Sequence, residues 1–171
     1  KLFRKIMKEK VLIIGAGPGL SSSLARLCVS HNMKVVLVSR DIEKLKKLKK
    51  ETNVEIISCD CSNAKSVKEL FMKTDKLIGT PNLVVFNAAY RPKRSSIIDL
   101  DDEEVQKALQ INCFGAYLVA REAAKRMILK KKGSIFFTGA TAGVKGFPNS
   151  SAFAIGKFGV RGLAQSLARE L

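Results

Sequence analysis

Short apolar runs alternate along this chain with longer segments in which apolar residues recur every three or four positions. Val11-Leu-Ile-Ile14 is a run that stops at glycines, as a buried parallel strand does. Leu20 to Ser30 then carries Leu20, Leu24, Leu27 and Cys28 at helical spacing. Val35–Val38 predicts a second strand, and Asp41 a cap for a short helix with the stripe Ile42, Leu45, Leu48. Val54–Ile57 predicts the third strand, and Ser62 or Asn63 starts a helix through Val67, Leu70 and Phe71. Leu83–Phe86 is the fourth strand, followed by Asn87-Ala-Ala-Tyr90 and a basic loop, Arg91 to Ser96. Acidic residues from Asp99 to Glu104 open one long helix that runs to Lys130, where a lysine turn and Gly133 stop it. Ser134–Phe137 is the fifth strand, and a last helix begins near Ser151.

Strictly alternating strands and helices predict an α/β fold: a Rossmann-type, doubly wound parallel sheet of about five strands with helices on both faces. Its 171 residues suffice for one core, so residues 1–171 are expected to form a single domain. The chain stops inside an amphipathic helix at Leu171, and Met7 offers a natural start. Both features predict a fragment lacking its C-terminal part, with strand five left as an exposed sheet edge.

Composition narrows the partners. No apolar run is long enough to span a membrane, and the basic start, Lys1 to Ile6, is too short for an export signal. Four scattered cysteines, with Cys59 and Cys61 at a spacing that suits neither zinc nor a disulfide, predict reduced thiols in the cytoplasm and no metal. The net charge of +16 is mostly lysine, gathered in the first ten residues, Lys44–Lys50 and Lys130–Lys132. The clusters Lys44–Lys50 and Lys130–Lys132 hold neither arginine nor aromatic residues, so the basic excess predicts solvated faces rather than a nucleic-acid site. The excess would steer an anionic ligand toward the protein.

In such sheets ligands bind beyond the carboxyl ends of the strands. The first such loop, Gly15-Ala-Gly-Pro-Gly19, sits between strand and helix. Gly15 permits the tight turn, Gly17 and Gly19 admit a phosphate, and the helix start at Leu20 supplies amides. After strand two stands Ser39-Arg40 rather than a carboxylate, which favours the extra phosphate of NADP(H) over NAD(H).

By these residues the chain resembles the short-chain dehydrogenase/reductase family along nearly its whole length. Gly15-Ala-Gly-Pro-Gly19-Leu-Ser21 is similar to the family's Thr-Gly-x-x-x-Gly-x-Gly, with Ile14 for the threonine and Ser21 for the last glycine. Asp60, with Cys61 after it, looks like the adenine-contacting aspartate, and Phe86-Asn87-Ala88-Ala89 resembles Asn-Asn-Ala-Gly. Asn112 looks like the helix asparagine that supports the catalytic lysine through water, and Phe153-Ala-Ile-Gly-Lys157 falls where the family has Tyr-x-x-x-Lys. The resemblance implies cofactor contacts from Gly15, Gly17, Gly19, Leu20, Ser39, Arg40, Asp60, Cys61, Asn87, Ala88, Ala89 and Lys157. It also implies a small-molecule carbonyl or alcohol substrate, whose pocket is closed by segments beyond the last helix. Homo-oligomers would form through the helices about Val105–Lys130 and from Ser151 onward.

The departures bear on mechanism. The family's tyrosine gives a proton to the carbonyl oxygen, and a serine upstream binds that oxygen. Here Phe153 and Ala140 occupy those positions, while Asn112 and Lys157 remain. Three functions fit: a reductase with an altered proton source (Lys157 with Asn112 and water, or Thr138, Thr141 or Tyr90); an NADP(H)-binding sensor or interaction protein without catalysis; or a basic-surface nucleic-acid binder. The first is favoured. Lone His31 is expected to have no chemical role, and Tyr117 to pack within its helix.

Overall fold

The computed structural model describes residues 8–171, so the basic start Lys1–Ile6 and the proposed initiator Met7 lie outside the described residues. Five strands form one parallel sheet in the order β3-β2-β1-β4-β5: β1 Lys10–Ile14, β2 Lys34–Ser39, β3 Glu55–Ser58, β4 Leu83–Phe86 and β5 Ser134–Phe137. The helices are α1 Leu20–Ser30, α2 Lys46–Thr52, α3 Ala64–Leu77, α4 Asp102–Ala108, α5 Gly115–Lys130 and α6 Ser151–Glu170. This is the Rossmann-type arrangement expected from the sequence. β1 pairs with β2 on one side and β4 on the other, so the strand order reverses at β1 and β4. β5 is an edge strand, with Phe136 exposed.

The two-residue period of the strands divides the core into two layers. Leu12, Ile14, Val36, Val38, Val84 and Phe86 face α3 and α5, where Phe71, Leu70 and Leu118 are wholly buried. Val11, Ile13, Val35 and Leu37 face α1 and α2, meeting Ala25, Cys28, Leu45 and Leu48.

Three elements differ from the sequence expectation. In α1 the buried face is Ser21, Ser22, Ala25 and Cys28, while Leu20 and Leu27 are exposed. The two serine hydroxyls donate back to the carbonyls of Gly15 (3.4 Å) and Gly17 (2.6 Å), so small polar residues satisfy the turn and let the helix sit close to the sheet. The single long helix is broken: a π-helical turn, Leu109–Phe114, separates α4 from α5. Lys131, at φ +49°, takes the left-handed position that ends α5, rather than Gly133. The Asp41 expectation stands only in part: its carboxylate accepts the Glu43 N–H at 3.0 Å, but it leads into a 3₁₀ turn, Glu43–Leu45, and α2 follows from Lys46. Asn63 caps α3 as expected, accepting the Ser66 N–H at 2.9 Å.

The tightest constraint is at Gly15, whose φ of +79° is reached readily only by glycine. A Cβ there would lie 2.3 Å from the backbone N and Cα of Ala88. Gly15→Ala should therefore cost about 3 kcal/mol or more, read as a lower urea midpoint, whereas Gly17→Ala, with open space around its Cβ position, should leave the midpoint within about 1 kcal/mol. Equal midpoints for the two variants would show that the β1–β4 contact is not what fixes the turn.

Candidate active site

A cleft of about 220 Å³ opens at the carboxyl ends of β1, β2, β3 and β4. β1 contributes Gly15 and Ala16, β2 Ser39 and Arg40, the segment after β3 Cys59–Cys61, and the segment after β4 Asn87–Ala89. The turn after β1 is held from inside: the amides of Gly15 and Ala16 both donate to the Val38 carbonyl (3.0 and 2.8 Å). Asn87 closes it from the other side, its backbone N–H donating to the Ile14 carbonyl at 2.8 Å and its Nδ2 to Ser21 Oγ at 2.8 Å. None of these bonds uses the amides of Gly17, Gly19, Leu20 or Ser21. The N-terminal cap of α1, Gly19, also supplies no side-chain bond. Those donors, with a helix dipole behind them, suit a phosphate. Gly17 has nothing within 4 Å of its Cβ position, so packing does not demand glycine there and a closely approaching ligand would. Gly19 has the same open space, but its φ of −88° and ψ of −125° suit glycine better than other residues.

Ser39 is buried and Arg40 exposed at the lip. Arg40 pairs with no carboxylate among the described residues. Lys44 lines the same end of the cleft; its place within a lysine run hid it among solvated charges in the sequence. Asp60 Oδ1 accepts from the backbone N–H and the hydroxyl of Ser62 (3.0 and 2.6 Å), fixing its carboxylate at the rim. Burial pushes the Cys61 thiol up to about 12, so it stays protonated and unreactive. Gly115 lets the start of α5 pack against it, where a Cβ would stand 3.3 Å from the sulfur.

Lys157, on α6, is 5% exposed. Its Nζ donates to the Thr138 carbonyl at 2.8 Å, and burial lowers its pKa with no opposing charge to restore it. A buried ammonium with two donors unspent is costly unless something supplies acceptors; the hydroxyls of a cofactor ribose would. Phe153 lies one turn earlier, its ring centroid 5.8 Å from Lys157 Nζ. Ala140 precedes a 3₁₀ turn, Thr141–Gly143, which packs on α6 with a Gly143 Cβ position 3.0 Å from the Lys157 carbonyl.

Asn112 is fully buried in the π turn. Its Oδ1 accepts the Tyr90 N–H at 2.6 Å and its Nδ2 donates to the Tyr90 carbonyl at 2.8 Å. Its side chain is therefore spent on the loop after β4. The Tyr90 hydroxyl donates to the Glu104 carboxylate at 2.7 Å, and Lys107 Nζ lies 4.4 Å from its ring centroid. Neither commitment follows from periodicity, because it is the π turn that brings Asn112 and Tyr90 together. Leu20 is exposed at the mouth of the turn. A larger hollow, about 610 Å³ between α5, β5 and α6, contains none of these residues.

Known proteins of the same fold show the same sequence of elements. Residues 9–171 match the family model described as short chain dehydrogenase. The chain belongs to the short-chain dehydrogenase family. It is 27% identical over 167 residues to a 3-oxoacyl-[acyl-carrier-protein] reductase of Bos taurus, covering 96% of this chain and 70% of that one. It is 31% identical over 162 residues to the FabG reductase of the same description from Rickettsia prowazekii, covering 94% and 65%. A short-chain dehydrogenase from Rhodopseudomonas palustris superposes with a TM-score of 0.89 at 32% identity, covering 95% of this chain and 78% of that one. ElxO solved with NADP bound superposes at 0.90 with 27% identity, covering 96% and 68%, and a tyrosine-to-phenylalanine variant of ElxO is solved with NADPH. An NAD+-bound xylitol dehydrogenase superposes at 0.90 with 26% identity, covering 97% and 66%. The chain spans 60 to 70% of the length of the curated relatives it matches first. Among the described residues no helix is long and apolar enough to cross a membrane.

Replacing the lysine tests whether its burial serves a ligand. Lys157→Met removes an uncompensated charge and should raise stability by about 1 kcal/mol, or Tm by about 2–4 °C, while weakening NADPH binding about tenfold. The sign with pH follows from a folded pKa below the ordinary 10.5: the penalty is fully present below the folded value and vanishes as pH rises to 10.5. The gap between variant and wild-type melts should shrink over that window. A variant that melts lower than wild type at neutral pH would make Lys157 a structural residue.

Proposed function

We propose that this protein is an NADP(H)-binding oxidoreductase acting on a small carbonyl or alcohol substrate, with a proton source other than tyrosine. What carries the proposal is Lys157: a buried ammonium without a counter-charge, one helical turn from Phe153 and bonded to the Thr138 carbonyl just past β5, in a fold whose glycine turn leaves amides free. The cofactor would lie with its phosphates on Gly17–Leu20, its adenine end near Asp60 and Cys61, and its 2′-phosphate between Arg40 and Lys44. Ser39 would add a hydroxyl there, and Asn87, Ala88 and Ala89 would floor the cleft. When bound, the cofactor supplies hydride chemistry. This chain's own part is to orient the ligands and hold a proton at Lys157 Nζ, whose lowered pKa makes it a readier donor than a solvated lysine. Phe153 has no hydroxyl to relay that proton, so a water between Nζ and the substrate oxygen would carry it. Asn112 acts by fixing Tyr90 rather than by meeting the water through its side chain. Thr138, whose carbonyl accepts from Lys157, and Thr141 are further candidate hydroxyls. Tyr90, committed to Glu104, is set aside as the donor.

The tyrosine-to-phenylalanine variant of ElxO solved with NADPH supports the cofactor half of the proposal, since that relative holds its cofactor without that hydroxyl. Arg40 and Lys44, both lining the cleft and neither paired with a carboxylate among the described residues, favour NADP(H) over NAD(H). One Rossmann unit over residues 1–171, free thiols and a cytoplasmic setting belong to the same proposal. So does a homo-oligomer through the π turn, α5 and α6, where Phe114, Tyr117, Ile155 and Phe158 are exposed. A second function, cofactor binding without turnover, is favoured by one observation: neither Phe153 nor Ala140 offers a hydroxyl, and that of Tyr90 is already spent.

NADPH should bind about tenfold or more tighter than NADH by fluorescence titration, and Arg40→Ala should abolish the difference; equal affinities in the wild type would remove the phosphate role of Arg40. In the full-length protein, Phe153→Tyr with Ala140→Ser should raise NADPH-dependent carbonyl reduction about a hundredfold. Tight NADPH binding with no turnover before or after that change would establish the non-catalytic function instead.

A further inference from the structure

Two cations lean on the Phe153 ring. Lys157 is the buried one; the other is Arg91, whose guanidinium carbon stands 5.5 Å from the ring centroid and whose side chain is exposed. Arg91 follows directly on Tyr90, the most firmly anchored residue of the loop, held by Asn112 at both backbone groups and by Glu104 at its hydroxyl. Beyond it, Lys93 and Arg94 are exposed, and the Ser95 N–H donates to the Asn149 carbonyl at 3.2 Å. That bond ties the loop to the segment before α6, which carries Lys145. None of these four cations pairs with a carboxylate among the described residues. Of the acids that open α4, Asp101 caps the Glu103 N–H and Glu104 holds Tyr90, while Asp99 and Asp102 are exposed to solvent.

We propose that Arg91 determines substrate specificity at this site by binding an anionic group, a carboxylate or a phosphate, on the small molecule whose reacting carbon sits against Phe153. The assignment rests on the oxidoreductase function above. A guanidinium lodged near an aromatic ring keeps its N–H fork available for a bidentate contact, as an ammonium cannot. The contact with the ring is worth about 0.5–1 kcal/mol at an exposed position, enough to bias the side chain toward the site without locking it there. Lys93, which lines a small hollow together with Phe153, adds to the attraction for an anion there.

The test is a ligand-observed NMR titration of the full-length protein with three probes: benzyl alcohol, 4-carboxybenzyl alcohol and 4-(hydroxymethyl)phenyl phosphate. At least one charged probe should bind about tenfold tighter than the neutral one, and the better of the two identifies the anion. Arg91→Met should abolish the preference, and Arg91→Lys should keep part of it. Equal binding of all three probes, no binding of any, or a preference that survives Arg91→Met overturns the assignment. An NADPH titration run in parallel separates the two claims. Intact NADPH binding without an anion preference condemns the role of Arg91 alone; an Arg91-dependent preference without NADPH binding condemns the cofactor proposal alone.

Discussion

At Gly15 and Ala88 two backbones approach so closely that no side chain fits between them. That contact joins the turn after β1 to the turn after β4 where the strand order reverses, and the arrangement of the cleft depends on it. Because the Gly15 and Ala16 amides share one carbonyl of β2, the turn cannot swing outward. Because Asn87 reaches Ser21, the start of α1 cannot drift from β4. The result is a helix N-terminus held at the edge of a cleft with its donors facing open space, an arrangement that spends backbone freedom on ligand geometry.

A second constraint acts through the π turn. An α-helix continued through residues 109–114 would place Asn112 on a different heading. The extra residue per turn is associated with a side chain fully buried and bonded to both backbone groups of Tyr90. Gly156 on α6 complements it, since a Cβ there would stand 3.0 Å from Asn112. The loop after β4 is thus fixed by two helices, and the side chain that emerges beyond the fixed point is Arg91. The same clamp explains why Tyr90 is better understood as a strut: its hydroxyl braces α4 instead of facing a substrate.

The strands and most helices were legible because buried parallel strands are continuous apolar runs and their neighbours carry helical stripes. Fold class and strand count followed from that alone. Boundaries moved by a residue or two, as at β3, where the strand begins at Glu55 rather than Val54. The α1 stripe misled because leucines usually mark the inner face, whereas here helix and sheet meet through Ser21, Ala25 and Cys28. The glycine turn and Arg40 were readable from local order, Asp60 and Asn87 through the family resemblance, and the fold brings Gly15, Arg40, Asp60 and Asn87 to one cleft. What the linear pattern lacked was any sign of the π turn, of Lys44 reaching the cleft, or of Arg91 over Phe153. All three depend on segments distant in sequence.

Lys157 brings these strands of argument to one point. A lysine kept only for solubility belongs in water, where its charge is hydrated at no cost; this one is buried against a carbonyl with nothing negative nearby. Its neighbour Phe153 stands where the family resemblance implies a tyrosine, so tuning a tyrosine hydroxyl does not account for the buried charge. Under the proposed function two tasks would remain for it: supplying donors to a bound ribose, and holding a proton near the reacting oxygen. Both would need a ligand to be present, and the first would need no hydroxyl at Phe153. On that proposal cofactor binding would survive without a tyrosine, and proton transfer would need another route.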